Sequence, residues 1–280
     1  MSETGREKTV VVTPWVTERE LEAFASAWGI NPARPPDWVV LQQDRTRAGC
    51  GATKNAGVVE ATRRGAEVVV VLDGDCYPNT RPGGVTTLEE LAAAHVAALE
   101  PQPVRMFQTV TRPPSRGTPY SELDVVTPVA ASMGFWTEVG DYCAARQLAH
   151  GGAAPEAMSC DVGAVVHGRY FPLCGMNLAF RPGDWQPWCR FIDVARFDDI
   201  WMGWLWQREA YRRGCCFNLG GPIVRHSRQS NVWRNLADEA LYLERSETLW
   251  RDIATHPSGD YEILSRLLPT WSQTNQDDEL

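Results

Sequence analysis

The stretch Glu67-Val-Val-Val-Val-Leu-Asp-Gly-Asp75 decides the fold of this chain. Its apolar residues are β-branched and continuous rather than alternating, which predicts a strand covered by other elements on both faces. Such strands are typical of parallel sheets whose crossover connections are helices. The surrounding sequence therefore has to supply helices and further strands in alternation.

The first hundred residues show that alternation. Thr17 and Glu20 stand three residues apart before an amphipathic segment, which is the spacing of a capping box. The patterns predict a mostly parallel, doubly wound α/β sheet, in which ligands bind beyond the carboxyl ends of the strands. The predicted strands cover residues 9–13, 38–41, 67–72 and 104–110, and the predicted helices cover residues 17–28, 50–64 and 88–99.

The second half of the chain is less regular. Residues 112–168 are rich in Pro, Gly, Ser and other small residues, so we expect long loops that serve a site. No linker divides the chain, which predicts a single domain over residues 1–270 and a frayed polar tail at 271–280. The remaining predicted elements are strands at 170–180 and 216–224 and helices at 198–213 and 233–253.

Composition restricts the class of protein. A net charge of −8 over 280 residues disfavours a general nucleic-acid or anionic-membrane surface, which needs a positive field. No segment has the length and apolarity of a membrane span, and the polar amino terminus is unlike a signal peptide, so we expect a cytoplasmic protein. The 8 cysteines include no C-x-x-C pair, which favours reduced thiols over disulfides or zinc.

The sharpest local motif is the pair of carboxylates Asp73 and Asp75, separated by Gly74 at the end of the strongest strand. Both can face the crevice at the edge of the sheet, where a hard divalent cation would bridge them to a substrate phosphate. The alternative is an ordinary turn, because Asp and Gly are common turn residues. The position after a buried strand favours a Mg²⁺ or Mn²⁺ site, and the pattern is the D-x-D motif of nucleotide-sugar glycosyltransferases.

Two polar positions nearby are candidates for nucleotide binding. Lys54 lies near the start of the predicted helix 50–64, where helix amino termini favour anions, so it is a candidate phosphate ligand. A solvated basic turn is the alternative. Asp44 follows the second strand and is placed to hydrogen-bond a base or ribose, with helix capping as its alternative.

The carboxyl-terminal half holds four further candidates, three at the start of one predicted helix and one after a predicted strand. Asp198 and Asp199 precede a Trp-rich helix and can act as general base or orient a sugar hydroxyl, while Trp201 offers an indole face to a sugar. A helix cap followed by core tryptophans is the alternative for all three. His226 follows the strand 216–224 and could bind a metal as a neutral imidazole, although a lone histidine is more often an ordinary polar contact.

Several segments between Asp73 and Leu236 form an ordered set of distinctive motifs. They resemble the reversibly glycosylated polypeptide, or UDP-arabinopyranose mutase, family. The run Tyr170-Phe-Pro-Leu-Cys-Gly-Met-Asn-Leu-Ala-Phe180 resembles its F-P-M-C-G-M-N-L-A-F, and Arg196-Phe-Asp-Asp-Ile-Trp-Met-Gly-Trp204 resembles its R-Y-D-D-M-W-A-G-W. Four shorter segments also match: Asp73-Gly-Asp-Cys-Tyr77 with D-D-D-C-F, Arg116-Gly-Thr-Pro-Tyr120 with R-G-Y-P-F, Gly134-Phe-Trp136 with G-L-W, and Asp141-Tyr142 with P-D-Y. Residues 222–236 resemble the longer family segment P-Y-I-x-H-S-x-A-S-N-P-F-x-N-L.

The resemblance implies a GT-A-like fold, with a nucleotide-binding half at residues 1–110 and a sugar and acceptor half at 111–270. It implies a UDP-sugar donor and a Mn²⁺ or Mg²⁺ ion held by Asp73, Asp75 and His226. Arg116 matches the arginine that carries the reversibly attached sugar, and Asp198 and Asp199 line the sugar pocket. The full set of residues predicted to bind the nucleotide sugar is Asp44, Lys54, Asp73, Asp75, Trp201 and Asn177. The chain departs from the family at Gly74, which replaces the middle Asp of D-D-D.

These observations lead to three functional hypotheses. The first is a metal-dependent glycosyltransferase that moves a sugar from UDP to a small, nucleobase-like or other polar acceptor. A DNA base as acceptor is disfavoured by the net charge of −8, and a homo-oligomer stays open. The alternative is a mutase that interconverts pyranose and furanose forms of a UDP-sugar through a transient bond to Arg116. The third is a non-catalytic partner that binds nucleotide sugars.

Overall fold

The computed structural model describes residues 7–44, 50–104, 116, 119, 121, 125–151, 163–165, 168–227 and 231–268. In these residues the chain forms one large sheet with helices packed against it, in the order β1 Thr9–Trp15, α1 Glu18–Trp28, β2 Val39–Gln43, α2 Cys50–Arg63, β3 Val68–Leu72, β4 Cys76–Tyr77, α3 Leu88–Ala98, β5 Val129–Glu138, α4 Ala144–Ala149, β6 Gly163–Val165, β7 Asn177–Phe180, α5 Pro182–Trp185, α6 Asp198–Arg212, β8 Cys216–His226, α7 Val232–Thr255 and α8 Tyr261–Ser265.

The sheet has the strand order β2-β1-β3-β7-β5-β8-β4, with β6 paired to β8. Strands β1, β2, β3, β5 and β8 run in one direction, and β4, β6 and β7 run in the opposite direction. This is a single mixed, mostly parallel α/β sheet of the GT-A-like kind, which confirms the predicted fold class. The predicted tail at 271–280 lies outside the described residues.

Burial of the first strands explains why their positions could be predicted from the sequence. Strand β3 is completely buried, and Val10, Val11 and Val12 of β1 are equally inaccessible, because helices α2 and α3 both pack against these two strands. The side chain of Thr17 accepts a hydrogen bond from the Glu20 N–H, and the Glu20 carboxylate accepts one from the Thr17 N–H, so the predicted capping box is confirmed.

The central segment was predicted wrongly. The loops expected at 112–168 include β5, a strand of 10 residues that pairs with both β7 and β8 in the middle of the sheet. After Val129 its buried part continues Ala130-Ala-Ser132, and such small residues lack the β-branched signal by which strands are recognised. The predicted strand at 170–180 is limited to β7, Asn177–Phe180, and the predicted strand at 104–110 lies almost wholly outside the described residues.

Helices α6 and α7 agree with the predicted positions, whereas the short helices α4, α5 and α8 were not predicted. Helix α6 buries most of its length against β8 and α7, and Trp201 and Trp206 are completely inaccessible. Trp201 also donates a hydrogen bond from Nε1 to the Ser246 hydroxyl. Because the side chain is completely buried, neither face of its indole is open to a sugar. The structure therefore corrects the assignment of Trp201 as a sugar contact, because this face of α6 belongs to the core. No helix in the described part of the chain is long and apolar enough to cross a membrane.

Candidate active site

The D-x-D segment forms a tight connection between β3 and the short strand β4. The Asp73 N–H donates to the carbonyl of Met176 at 2.9 Å, and the Cys76 N–H donates to the carbonyl of Asp73 at 3.0 Å. These bonds attach the turn to the residue that precedes β7 and direct the two carboxylates beyond the carboxyl end of β3. Asp73 and Asp75 thus lie just beyond the carboxyl end of β3.

Lys54 is the buried cation of this crevice. Its Nζ lies 2.9 Å from Oδ1 and 3.1 Å from Oδ2 of Asp73, and only 3% of its side chain is exposed. The ammonium also lies 5.3 Å from the centre of the Phe191 ring. Burial raises the pKa of the Asp73 carboxyl, with the Lys54 charge opposing that rise. Lys54 therefore neutralises a buried carboxylate, which corrects its interpretation as a surface phosphate ligand at a helix amino terminus.

The residue after Lys54 ties the same helix to the second half of the chain. Asn55 donates from Nδ2 to the Phe191 carbonyl at 2.8 Å and accepts from the Phe191 N–H at 2.9 Å. This reciprocal pair satisfies both backbone groups of Phe191, as a strand partner would. Helix α2 is therefore attached to the segment that leads into Asp198 and Asp199.

Asp198 and Asp199 open α6 after Phe197, whose backbone has a φ of 61°. A left-handed conformation at a bulky residue is strained and is typical of functional segments. Asp199 is held firmly, because its Oδ2 accepts from the Gly175 N–H at 2.7 Å and its Oδ1 accepts from the Ile200 N–H at 2.8 Å. It therefore connects the start of α6 to the segment that precedes β7.

Asp198 differs from its neighbour because its Oδ2 is buried without a hydrogen-bond partner. A Cβ built on Gly51 would lie 2.9 Å from this oxygen and 2.9 Å from the Ile192 carbonyl oxygen, so Gly51 allows α2 to approach closely. Burial first, and then the charge of Asp199, raise the pKa of the Asp198 carboxyl. A carboxyl with a raised pKa and a free oxygen is suited to proton transfer near neutral pH.

His226 faces Asp75 at the end of β8. Its Nε2 lies 3.4 Å from Asp75 Oδ2, and its Nδ1 lies 2.8 Å from the Val139 carbonyl oxygen, which can only accept a hydrogen bond. The backbone carbonyl therefore fixes Nδ1 as the donor and leaves Nε2 to face the carboxylate. Burial lowers the pKa of His226, but the hydrogen bond and charge of Asp75 outweigh burial and raise it overall.

Asp73, Asp75 and His226 differ in how well they suit a divalent cation. A histidine whose Nδ1–H is held by a carbonyl and whose Nε2 faces a carboxylate is the arrangement that protein metal ligands use, so Asp75 and His226 fit. Asp73 fits less well because the Lys54 ammonium lies within 3.1 Å of both of its oxygens, although only Oδ2 accepts a hydrogen bond from it. Among the described residues, no group of three His, Cys, Asp or Glu side chains converges as a metal site.

Asp141 and Cys174, for which no role was predicted, lie beside this pair. The Cys174 thiol lies 3.6 Å from Asp141 Oδ2, and Asp141 contributes to the raised pKa of His226. Both residues stand inside segments that resemble the reversibly glycosylated polypeptide family. That resemblance was the signal that could have identified them.

Asn177 lies under the site rather than in it. It is completely buried and uses its amide on interior partners, which corrects its assignment as a nucleotide-sugar contact.

Two other predicted residues lie away from these carboxylates, Asp44 half-buried and Arg116 exposed. Asp44 follows β2, and its N–H donates to the carbonyl of Trp15 at 2.9 Å. A cleft of about 590 Å³ runs along the outer side of β2 and is lined by residues such as Trp15, Gln42 and Val59. None of the site carboxylates lines this cleft. Arg116 is exposed in a turn, and the residues on both sides of it lie outside the described part of the chain.

The sheet topology is that of a GT-A-like α/β protein, with a cluster of acidic side chains at the carboxyl end of β3. The sequence profile of the family "Reversibly glycosylated polypeptide" matches residues 52–249, and the chain belongs to that family. It is 31% identical to a probable UDP-arabinopyranose mutase 1 of Pisum sativum over 192 residues, which are 61% of this chain and 50% of the relative.

Two further relatives carry similar names. UDP-arabinopyranose mutase 1 of Arabidopsis thaliana is 31% identical over 61% of this chain and 51% of its own length. A probable UDP-arabinopyranose mutase 2 of Solanum tuberosum is 30% identical over 68% of this chain and 55% of its own length. The chain thus spans about half the length of the curated relatives it matches. Because these relatives are named mutases, the leading hypothesis of a metal-dependent transferase with a small-molecule acceptor is wrong.

Proposed function

We propose that this protein is a UDP-sugar mutase that interconverts the pyranose and furanose forms of the sugar. The observation that carries the proposal is the convergence of Asp73, Asp198 and Asp199 around the buried Lys54, in a chain whose relatives are named UDP-arabinopyranose mutases. The field of both Asp198 and Asp199 acts on Lys54, so carboxylates from β3 and α6 share one crevice. A ring isomerisation needs proton transfer at the sugar, which such carboxylates can supply.

The reaction proceeds through a covalent intermediate. A guanidinium nitrogen of Arg116 forms a bond to the anomeric carbon, the bond from that carbon to the phosphate oxygen breaks, and UDP leaves with the electron pair. The Arg116 proton passes to a carboxylate, for which Asp198 is the best suited because its Oδ2 has no other hydrogen bond. The acid–base group and the nucleophile then lie on different segments.

Isomerisation follows while the sugar is attached. The nitrogen lone pair opens the pyranose ring, and the released ring oxygen takes the proton from Asp198. The hydroxyl on carbon 4 then attacks the anomeric carbon and gives its proton to the carboxylate. The phosphate oxygen of UDP attacks the same carbon and displaces Arg116, which recovers its proton. Bonds and protons balance without an oxidant or reductant.

Asp75 and His226 would hold a divalent cation, Mn²⁺ or Mg²⁺, at the edge of the crevice. When bound, such an ion neutralises the charge of the diphosphate leaving group. Asp73 contributes differently, because its carboxylate is paired with Lys54 and keeps that helix attached to the end of β3.

The test uses the purified protein with Mn²⁺ and a panel of UDP-pentoses and UDP-hexoses, with no acceptor added. Chromatography of the soluble nucleotides and the intact mass of the protein are followed together. We expect an isomeric UDP-sugar to accumulate and a sugar-sized mass to appear on the protein. Arg116→Ala should lose both signals, whereas Arg19→Ala, at an exposed arginine of α1, should keep them. Release of free UDP without an isomer, or binding without turnover, would contradict the proposal.

A further inference from the structure

Three buried polar side chains form a chain under the crevice. His95 of α3, Ser132 of β5 and Asn177 of β7 are all completely inaccessible to solvent. The His95 Nδ1 lies 2.9 Å from the Ser132 hydroxyl oxygen, and its Nε2 lies 2.8 Å from Asn177 Oδ1. Buried polar groups of this kind are costly unless every one of them is satisfied.

The direction of each hydrogen bond follows from the far end of the chain. The Asn177 Nδ2 donates to the Pro222 carbonyl at 2.9 Å and to the Phe135 carbonyl at 3.3 Å, so Oδ1 must be the end that faces His95. His95 therefore donates from Nε2 and accepts at Nδ1 from the Ser132 hydroxyl. Burial lowers the pKa of His95 to about 4, which keeps the imidazole neutral in this role.

The amide of Asn177 ends this polar chain on the backbone of β5 and β8, and Asn177 itself stands in β7 beside β3. Asn177 pairs with Leu72, and Met176 beside it receives the hydrogen bond from the Asp73 N–H. Pro222, held by the same amide, belongs to β8, the strand that ends at His226. Asn177 thus connects two strands: its backbone pairs with the end of β3, and its side chain holds the strand of His226.

Neighbouring residues make room for this link. A Cβ on Gly134 of β5 would collide with the Asn177 amide and with the Pro222 carbonyl oxygen. Only glycine lets β5, β7 and β8 approach closely enough for the amide to reach both carbonyls. The arrangement is therefore sterically specified, in addition to being hydrogen-bonded.

We propose that the Ser132–His95–Asn177 chain is a positioning network that sets the relative placement of Asp73 and His226. It contacts no substrate, and it acts through the backbone of β3, β7 and β8. The proposal rests on the proposed function only for its activity measurement, because the placement of His226 can be observed without turnover.

The test compares His95→Leu, which removes both bonds of the imidazole, with His95→Gln, whose amide can still donate to Asn177. The matched control is Gln207→Leu. Gln207 is also completely buried, and it bonds to the Phe171 N–H at 2.9 Å and to the Phe171 carbonyl at 2.8 Å, so the variant loses the same number of buried hydrogen bonds. It lies nine residues beyond Asp198 on α6, about 13 Å along the helix.

Two measurements are made on each folded variant. The first is the turnover number with the UDP-sugar that the native protein isomerises, and the second is the set of ring resonances in ¹⁵N-histidine-labelled protein without substrate. We expect His95→Leu to lower the turnover number about 10- to 100-fold, as misplacement by a fraction of an ångström does, and to shift the His226 resonances. His95→Gln should recover most of both signals, and Gln207→Leu should change neither.

Each outcome decides one of the two proposals. If His95→Leu leaves the His226 resonances and the turnover number as they are in Gln207→Leu, the network is only part of the core and the inference is wrong. If the native protein isomerises no UDP-sugar, the proposed function fails, while the His226 resonances still test the placement. If His95→Leu does not fold, Ser132→Ala and Asn177→Asp are measured in the same way. Asn177→Asp should shift the His226 ring resonances, because its carboxylate presents an acceptor to the Pro222 carbonyl.

Discussion

Replacing Lys54 by methionine tests the central electrostatic argument. The substitution keeps an unbranched side chain of similar length and removes the charge that lies 2.9 Å from Asp73 Oδ1. Breaking a buried ion pair costs about 3 to 5 kcal/mol, since it leaves the partner charge unpaired. Asp73 retains 24% exposure, so we expect the free energy of unfolding at pH 7 to fall by about 3 kcal/mol, the lower end of that range.

The pH dependence and a second substitution make the expectation specific. Without Lys54 the buried Asp73 carboxyl has an even higher pKa, so it takes up a proton as the pH falls. Lys54→Met should therefore regain stability relative to the native protein between pH 7 and pH 5. Asp73→Asn in the Lys54→Met background should recover about 2 kcal/mol, because it removes the unpaired charge.

Guanidinium unfolding followed by Trp fluorescence measures all four members of this double-mutant cycle. Arg63→Met is a matched control, because Arg63 pairs with Glu60 at 2.7 Å but its side chain is 73% exposed, and such pairs contribute little. The reasoning is refuted if Lys54→Met costs less than about 1 kcal/mol, or if Asp73→Asn destabilises the protein as much in its presence as alone.

Three further predictions follow from the same structure. Burial lowers the pKa of His95 from 6.5 to about 4, so between these pH values the unfolded state binds a proton that the folded state does not. The contribution of His95 to stability therefore falls as the pH drops through that window. The native protein should lose about 2 kcal/mol from this source between pH 7 and pH 5, and His95→Gln should abolish that component in urea titrations; parallel pH profiles for the two proteins would contradict it. Gly51→Ala places a Cβ 2.9 Å from Asp198 Oδ2 and should cost about 1 to 3 kcal/mol by overpacking, whereas Gly183→Ala, where a Cβ meets nothing within 4 Å, should be neutral in the same denaturation assay. Gly74→Asp restores the middle carboxylate of the family motif, and a Cβ there lies 3.1 Å from the Pro14 carbonyl oxygen, so thermal unfolding should show a loss within about 1 kcal/mol; a larger loss would mean that the turn cannot accommodate a side chain.

The strands and helices that the sequence predicted well are those with a local signal. The β-branched runs of β1 and β3 and the capping box at Thr17 depend on neighbouring residues, and the structure confirms them. Strand β5 has no such signal, because the small size of Ala131, Ser132 and Gly134 is imposed by close packing of strands that are distant in the sequence. Its position could be found only from the three-dimensional arrangement.

The site shows the same division. The carboxylates could be named from the sequence because Asp73 and Asp75 follow a recognisable strand. Lys54 was assigned to the wrong role because proximity to a helix amino terminus does not show which face is buried. Trp201 was misassigned for the same reason, since an indole suited to a sugar and an indole suited to a core have the same sequence pattern. His95 gave no signal at all, because its partners Ser132 and Asn177 lie 37 and 82 residues away.

The balance of charge in the crevice connects these observations. Lys54 is the one buried lysine of the described residues, and it faces Asp73 directly while Asp198 and Asp199 act on it from α6. Carboxylates therefore outnumber the cation, and the excess has to be relieved by protonation or by a bound cation. The raised pKa of Asp198 is the first form of relief, and the Asp75–His226 pair is suited to the second. Protonation of Asp198 and cation binding at Asp75 and His226 both require that the ends of the strands keep their positions. A neutral, fully hydrogen-bonded Ser132–His95–Asn177 network beneath them would hold those positions, which offsets the cost of burying its polar groups.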